Sequence, residues 1–321
     1  MDFTTLLTNF TNPVLLFFIL GIAASKMRSD LEIPAAIAKF LSLYLLLAIG
    51  FKGGQELRSS EWSAEIGWSL VAGLVLAAVI PLSSFFLLRR KLPVQDSAAI
   101  AAAYGSVSAV TFVAAVGFLE GRAIDFGGHM VAVMAFMEFP AIIVGVLLLR
   151  VFEVNGDDEP GAHGMKAVLR HSLTNGSVVL LVGSLLVGLA SDKTMAEGIK
   201  PFTNDIFKGF LALFLLEMGL VCGRSLSNLI SKGLFPVGFA LVAPLVHGSL
   251  VAWASGFFLE EPGNRFLLAV LSASASYIAV PAAMRLAAPK ADPGIYIPMA
   301  LAITFPLNLA AGFPLYFHLA R

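Results

Sequence analysis

Two stretches of small hydroxylated residues hold the most distinctive chemistry in this sequence, Ala103-Tyr-Gly-Ser-Val-Ser-Ala-Val-Thr111 and Leu271-Ser-Ala-Ser-Ala-Ser-Tyr-Ile-Ala-Val-Pro281. A helix interrupted at such a stretch leaves backbone N–H groups free at a positive dipole end, and small side chains let an anion approach them. The alternative is that the small residues only let helices pack closely. Because the pattern recurs, we favour an anion site, with Gly105, Ser106, Val107, Ser108, Ala273, Ser274, Ala275 and Ser276 as its predicted residues.

A single acidic residue, Glu138, lies in the apolar run Phe136-Met-Glu-Phe-Pro140. Carboxylates at that depth are costly and usually face a cavity, a cation or a proton path, although a hydrogen-bonded structural Glu is the alternative. Oxygen ligands without thiolates or clustered imidazoles favour a hard cation, so we predict a Na+ site. Its candidate ligands are Glu138, Ser108, Thr111, Ser272, Ser276, Thr304 and Asn308.

The elements that must position these residues are strongly apolar. Hydrophobic residues make up 58% of the 321 and charged residues 13%, whereas a soluble domain has roughly 45–50% and 25%. Uncharged runs of about 20 residues match the hydrocarbon thickness of a bilayer. These runs are continuous rather than alternating, so they indicate helices and not a barrel. The predicted fold class is an all-α polytopic membrane protein.

About ten transmembrane helices are predicted from the apolar runs that charge, Pro or Gly bound. The runs cover residues 13–25, 35–54, 65–88, 96–119, 127–152, 172–190, 204–224, 233–258, 263–284 and 294–319. The polar segment from Glu153 to Arg170 divides them into two sets of five. We therefore expect a first five-helix repeat at 1–152, a cytoplasmic central loop at 153–171 and a second repeat at 172–321.

The two halves share residues in the same order, which indicates an internal repeat. The matching sets are Lys39, Gly50 and Gly54 with Lys208, Gly219 and Gly223, then Ser106-Val-Ser108 with Ser274-Ala-Ser276, then Phe139-Pro140 with Phe305-Pro306. An odd number of spans in each repeat turns the second half upside down relative to the first. We expect two inverted five-helix repeats, with broken helices in spans 4 and 9 that face one another at the bilayer centre.

Basic residues predict the orientation. Of the 21 Lys and Arg residues, 13 lie on the side of the central loop and 8 on the other side. Basic loops stay in the cytoplasm, so both termini are expected outside. The net charge is zero, and because no basic stripe is present, nucleic acid is not an expected partner. No metalloprotease or phosphate-loop motif occurs, so the chain is not expected to be an enzyme.

At these residues the chain resembles the sodium-dependent bicarbonate transporter family of cyanobacterial type. The segments that carry the resemblance are Glu32-Ile-Pro34, Gly105-Ser-Val-Ser108 with Thr111, Phe136-Met-Glu-Phe-Pro-Ala141 and Ser272-Ala-Ser-Ala-Ser-Tyr-Ile-Ala-Val-Pro-Ala-Ala283. The resemblance implies a homotrimer in the inner (plasma) membrane that takes up bicarbonate with Na+. It also implies a core domain, spans 3–5 and 8–10, that moves against a gate domain, spans 1, 2, 6 and 7.

The family further implies a PII-like regulatory partner at the cytoplasmic face. Two features depart from the family pattern: Glu138 stands where the family has Asp, and the central loop is shorter than usual. The predicted function is secondary active symport of bicarbonate with Na+ by alternating access. Two alternatives stay open, namely symport of another small anion such as sulfate or a short carboxylate, and an anion-binding membrane sensor. The lack of a mid-span Arg favours a small, weakly charged anion, because a dianion more often recruits a guanidinium.

Overall fold

The computed structural model describes residues 13–59, 63–153, 170, 174, 176–230, 233–277 and 279–321. Within these residues every regular element is a helix, so the all-α prediction is confirmed. Most of the predicted central loop, residues 154–169, lies outside the described residues.

Six helices form the first half of the chain. They are α1 (Pro13–Lys26), α2 (Ala35–Ser59), α3 (Ala64–Leu88), α4 (Val94–Gly105), α5 (Ala109–Glu120) and α6 (His129–Phe152). The second half contains α7 (Gly176–Ala190), the short α8 (Lys193–Glu197), α9 (Phe207–Ile230), α10 (Leu234–Ala254), α11 (Pro262–Ala273), α12 (Ala279–Ala287) and α13 (Pro293–Ala320). Helix α13 includes two π-helical segments, Met299–Thr304 and Asn308–Gly312.

Seven helical stretches of the described chain are long and apolar enough to cross a bilayer, which makes this a membrane-embedded protein. They are Ala35–Ser59, Ala64–Leu88, Val94–Glu120, His129–Phe152, Pro201–Arg224, Leu234–Phe257 and Pro293–Ala320. The predicted spans at 13–25 and 172–190 fall on the shorter apolar helices α1 and α7, and the predicted span at 263–284 falls on α11 and α12.

Glycines bring two pairs of helices into backbone contact. Gly21 of α1 lies against the carbonyl oxygen of Leu216 in α9, and Gly219 of α9 lies against that of Phe18. In the second pair, Gly54 of α2 lies against the carbonyl oxygen of Leu185 in α7. A Cβ atom at any of these glycines would overlap the facing carbonyl, so only glycine permits the close packing that stabilises helix pairs in membranes. Helices α2 and α9 also contact one another, which joins the two pairs into one group.

The remaining long helices form a second group around α4, α5 and α11, whose residues are almost all buried. Helices α3 and α6 pack against α4, while α10 and α13 pack against α11. Aromatic rings hold α5 to α11: Phe118 stacks on Phe266 with ring centroids 5.2 Å apart, and Phe313 of α13 meets Phe118 edge-on at 5.6 Å. This group positions both hydroxylated stretches.

Candidate functional site

The first hydroxylated stretch leaves the helical conformation after Gly105. Ser106 is extended, with φ −78° and ψ 170°, and Ser108 has φ −102° and ψ 107°. The Ser108 side chain accepts a hydrogen bond from the Thr111 N–H at 3.2 Å, so it caps the start of α5. Serine competes for backbone hydrogen bonds in this way, which is why a helix begins again directly after it. A Cβ at Gly105 would overlap the Pro81 ring, so this close approach requires glycine.

The second stretch has a similar conformation. Helix α11 ends at Ala273 and Ser274 is extended, with φ −87° and ψ 167°. The Ser276 side chain accepts a hydrogen bond from the Val280 N–H at 3.5 Å, near the start of α12. Ser108 and Ser276, which the predicted internal repeat pairs, each lie in front of a helix.

Backbone and side-chain hydrogen bonds join the two stretches directly. The Ser108 N–H donates to Ser274 Oγ at 3.0 Å, and the Ser276 N–H donates to the Ala103 carbonyl oxygen at 2.8 Å. The Ser274 hydroxyl in turn donates to the Leu271 carbonyl oxygen at 2.8 Å. The non-helical segments thus cross at one place, where each stretch provides a hydrogen-bond acceptor for a buried backbone N–H group of the other.

A small cavity lies beside this crossing, between the two helix groups. Its volume is about 20 Å³, room for roughly one water-sized group. The described residues that line it are Ser42, Leu45, Leu46, Val107, Ser108, Ala109, Val110, Val113, Glu138, Phe214, Ser276 and Tyr277. Four predicted site residues are thus brought together here: Val107, Ser108, Ser276 and Glu138.

The other predicted anion residues surround the cavity without lining it. Ser106 donates from Oγ to the Glu138 carbonyl oxygen at 3.4 Å, which links the end of α4 to α6. Ser274 is occupied by the crossing, and Ala273 gives its carbonyl oxygen to Asn308 Nδ2 at 2.8 Å. Gly105 and Ala275 are buried in the packing. These residues hold the two stretches in place.

Four candidate Na+ ligands also lie away from the described lining. The Ser272 hydroxyl donates to the Leu268 carbonyl oxygen at 2.9 Å. Thr304 donates to the Ala240 carbonyl oxygen at 3.0 Å and lies 2.7 Å from the Tyr104 hydroxyl. Asn308, besides its bond to Ala273, accepts from the Tyr316 hydroxyl at 3.0 Å. Thr111 is buried at the start of α5.

Several cavity residues were not predicted from sequence. Tyr277 follows Ser276 directly, and its hydroxyl lies 3.6 Å from Met218 Sδ of α9. Leu45 of α2 and Phe214 of α9 face the cavity from the other helix group. The predicted internal repeat contains a signal for this pair, since the match of Lys39 with Lys208 also aligns Leu45 with Phe214.

Glu138 is the one carboxylate among the described lining residues. It is accompanied by the hydroxyl groups of Ser42, Ser108, Ser276 and Tyr277. Across the described part of the chain, no group of three or more His, Cys, Asp or Glu side chains is placed to hold a metal ion together. The oxygen atoms around the cavity form a donor set that suits a hard cation.

A bundle of apolar, span-length helices around a small, mainly apolar cavity that contains one carboxylate defines the class of this chain, a polytopic membrane protein. Within that class, the chain belongs to the Na+-dependent bicarbonate transporter superfamily, whose family model matches residues 13–321. The resemblance drawn from the sequence is therefore confirmed. No curated protein matches the chain at a significant level. Membership of a transporter family implies movement of a solute rather than its chemical conversion, and the family name supports bicarbonate and sodium as the transported solutes.

Proposed function

We propose that this protein is a secondary active transporter that carries bicarbonate into the cell together with Na+. The observation that carries the proposal is the placement of Glu138, Ser108 and Ser276 around one cavity at the crossing of two non-helical segments. Such segments are tolerated in a membrane where they are buried in protein or line a cavity. Transporters place their substrate and coupling-ion sites at this kind of junction, near the middle of the bilayer.

The proposal includes ten spans arranged as two inverted repeats. Adding α1, α7 and the α11–α12 pair to the seven span-length stretches gives that number. Reciprocal packing supports the repeat: α1 of the first half packs on α9 of the second, and α7 of the second half packs on α2 of the first. The sequence match pairs α2 with α9, and the order of the spans in the proposed repeats then pairs α1 with α7, so the two contacts would be equivalent.

The cavity of about 20 Å³ holds roughly one water-sized group, so binding of both solutes requires the two helix groups to move apart. Alternating access would use these groups as moving parts. Helices α1, α2, α7 and α9 correspond to the proposed gate domain, and α3–α6 with α10–α13 to the proposed core domain. The gate side of the cavity is mainly apolar, with Leu45, Leu46 and Phe214, while the core side carries Glu138 and the capping serines. Apolar contacts are non-directional, so this wall itself opposes sliding of the core only weakly, while the Tyr277–Met218 contact and the Lys52–Glu120 ion pair must open when the core moves.

Charge explains why the two solutes would move together. An ionised Glu138 beside a bound anion is unfavourable, since like charges at about 4 Å repel by about 4 kcal/mol at an effective dielectric of about 20. A Na+ ion at Glu138 removes this repulsion and attracts the anion. The first-turn N–H groups of α5 and α12 other than those of Thr111 and Val280, which the capping serines bind, complete the anion site. Each solute then raises the affinity for the other by the same factor.

Further parts of the proposal rest on the sequence. The excess of basic residues on one side supports an inner-membrane protein with both termini outside. The family resemblance supports a homotrimer and a PII-like regulator at the cytoplasmic face. Symport of sulfate or a short carboxylate is the second candidate, and a non-transporting anion sensor is the third. Competition of each anion with bicarbonate uptake distinguishes the first candidate from the second. A measured flux of any of these anions through the protein would exclude the sensor.

Substitution of Glu138 tests the Na+ site. Glu138→Gln keeps the size of the side chain and removes the charge, while Glu138→Asp keeps the charge and serves as the matched control. We expect Na+ activation of bicarbonate uptake to disappear in Glu138→Gln and to persist, with altered Na+ affinity, in Glu138→Asp. Both variants are compared per amount of folded protein. Unchanged Na+ activation in Glu138→Gln would rule out the role given to this carboxylate.

A further inference from the structure

A second and much larger cavity, an open groove, lies between α3 and α10 and shares no described lining residue with the cavity of the proposed transport site. Its volume is about 540 Å³, within the range of about 300–1,000 Å³ that ligand sites occupy. The described lining includes Leu87 of α3 and Leu234, Val242 and Val246 of α10, all of them strongly exposed. In a membrane-embedded chain these exposed apolar faces contact the acyl chains of lipids.

Ser84 gives this groove a polar feature. The Ser84 side chain is 2% exposed. Its oxygen forms no hydrogen bond within the described part of the chain. A buried hydroxyl without a partner costs about 1–3 kcal/mol, so it marks a place where a ligand supplies the missing partner. His247 lines the opposite end of the groove, and its Nδ1 atom also lacks a partner among the described residues.

Positive charge is placed at the end of the groove near Leu87. The helical turn continues past α3, because the Arg90 N–H donates to the Leu87 carbonyl oxygen at 3.4 Å and the Lys91 N–H to that of Leu88 at 3.0 Å. Arg90 therefore follows Leu87 by about one turn, on the same side of the chain. Arg90 and Lys91 are exposed, whereas Arg89 lies 4.2 Å from the centre of the Phe152 ring.

The length of the groove suits an acyl chain. Leu234 and His247 are separated by 13 residues of α10, which corresponds to about 20 Å along a helix. One leaflet provides about 15 Å of hydrocarbon. A tail that starts at the basic end would therefore extend along most of the groove towards His247.

We propose that the groove between α3 and α10 binds an anionic phospholipid of the surrounding bilayer. One acyl chain lies along the apolar groove, an ester carbonyl accepts a hydrogen bond from Ser84, and the phosphate lies beside Arg90 and Lys91. Each cationic side chain near an anionic membrane surface favours binding by an amount that corresponds to about fivefold in affinity.

Gly238 offers a selective way to block this site. It lines the groove, and a Cβ added to it would have no atom within 4 Å. Gly238→Trp should therefore fill the groove without disturbing the helix contacts. Gly67 of α3 has equally open surroundings and does not line the groove, so Gly67→Trp is the matched control.

Native mass spectrometry of the purified full-length protein, titrated with phosphatidylglycerol or phosphatidylcholine of matched chain length, measures the binding. We expect the protein to prefer phosphatidylglycerol, and Gly238→Trp to reduce its affinity by at least about tenfold. Gly67→Trp should bind as the unmodified protein does. Arg90→Gln with Lys91→Gln should reduce the preference for the anionic lipid by about 25-fold, and Ser84→Ala should lower the affinity for either lipid by about two- to twelvefold.

Three results would overturn the proposal. The first is phosphatidylglycerol binding that is unchanged in Gly238→Trp. The second is an equal loss in Gly67→Trp, which would indicate a general effect of added bulk. The third is a change of oligomeric state in Gly238→Trp with unchanged lipid binding, which would assign the groove to a contact between copies of this chain.

Discussion

The backbone N–H of Ser108 donates a 3.0 Å hydrogen bond to the side-chain oxygen of Ser274, which lies 166 residues further along the chain. Both residues belong to segments that interrupt helical structure, and both are buried. The bond therefore gives a partner to a backbone group that no helix satisfies. Ser274 is placed to support the crossing of the two segments, while Ser108 and Ser276 line the cavity and are the serines that we propose contact a solute.

This difference leads to opposite expectations for two similar substitutions. Ser274→Ala removes the acceptor of the Ser108 N–H, and a buried donor without a partner costs about 1–3 kcal/mol. We expect a lower unfolding temperature in detergent with little change in the apparent affinity for bicarbonate. Loss of affinity at unchanged stability would mean that Ser274 contacts the anion itself.

Ser276→Ala should affect affinity rather than stability. Ser276 lines the cavity, and the hydrogen bond that its side chain accepts from the Val280 N–H is long, at 3.5 Å. Loss of one hydrogen bond to a solute lowers affinity by about two- to twelvefold. Uptake measured against bicarbonate concentration should show this change while the unfolding temperature stays near that of the unmodified protein. The reverse pattern would give Ser276 a structural role.

Close helix packing at Gly54 predicts sensitivity to a single methyl group. Gly54→Ala places a Cβ into the Leu185 carbonyl oxygen, and overpacking of this kind costs about 1–3 kcal/mol. Gly183→Ala in α7 is the control, because a Cβ there meets no atom within 4 Å. We expect reduced yield and a lower unfolding temperature only for Gly54→Ala. Equal behaviour of the two variants would contradict the tight α2–α7 contact.

An ion pair joins the two helix groups. Lys52 Nζ of α2 lies 2.5 Å from Glu120 Oε1 of α5, and the two side chains are 22% and 23% exposed. A double-mutant cycle with Lys52→Met and Glu120→Gln should give a coupling free energy of about 0.2–1 kcal/mol, which decreases as salt is added. The free energies of unfolding of the two single variants and the double variant provide the measurement. Strictly additive changes in the free energy of unfolding at low salt would show that the ion pair has no coupling free energy.

Membrane orientation can be tested with single cysteines. Asp30 follows α1 and Glu197 ends α8, both are exposed, and the predicted topology puts Asp30 inside and Glu197 outside. In a Cys222→Ala background, an impermeant thiol reagent added to intact cells should label Glu197→Cys and not Asp30→Cys. Labelling of Asp30→Cys alone would show that the protein has the opposite orientation in the membrane.

Much of the helical framework was predictable because charged residues and Pro mark the ends of apolar runs. The predicted span at 65–88 agrees with α3, Ala64–Leu88, within one residue. Helix α2 extends to Ser59, five residues beyond the predicted end at 54. Tertiary contacts explain this extension. Gln55 donates a hydrogen bond to the Ser191 carbonyl oxygen at 2.9 Å, and Arg58 donates one to the Ala190 carbonyl oxygen at 3.2 Å. The end of α7 thus provides partners for polar side chains that the sequence alone predicts to lie in a loop.

The candidate site was only partly predictable. Repetition of the hydroxylated stretches pointed to Ser108 and Ser276, and the cost of a carboxylate in an apolar run pointed to Glu138. Thr304, the counterpart of Glu138 in the predicted repeat, does not line the cavity and instead donates a hydrogen bond to the Ala240 carbonyl oxygen. It lies in one of the π-helical segments of α13, and such segments change the face that a side chain occupies. Sequence periodicity does not reveal that change.

Uptake of radiolabelled bicarbonate into proteoliposomes tests Na+-coupled transport most directly. The purified protein is reconstituted with an inward Na+ gradient, with equal Na+ on both sides, or with K+ in place of Na+. Protein-free liposomes at alkaline pH correct for diffusion of CO2. Coupled symport predicts that bicarbonate accumulates inside the liposomes with the inward Na+ gradient and does not accumulate in the other two conditions. Equal uptake in all three conditions, or accumulation of sulfate or acetate without bicarbonate, would contradict it.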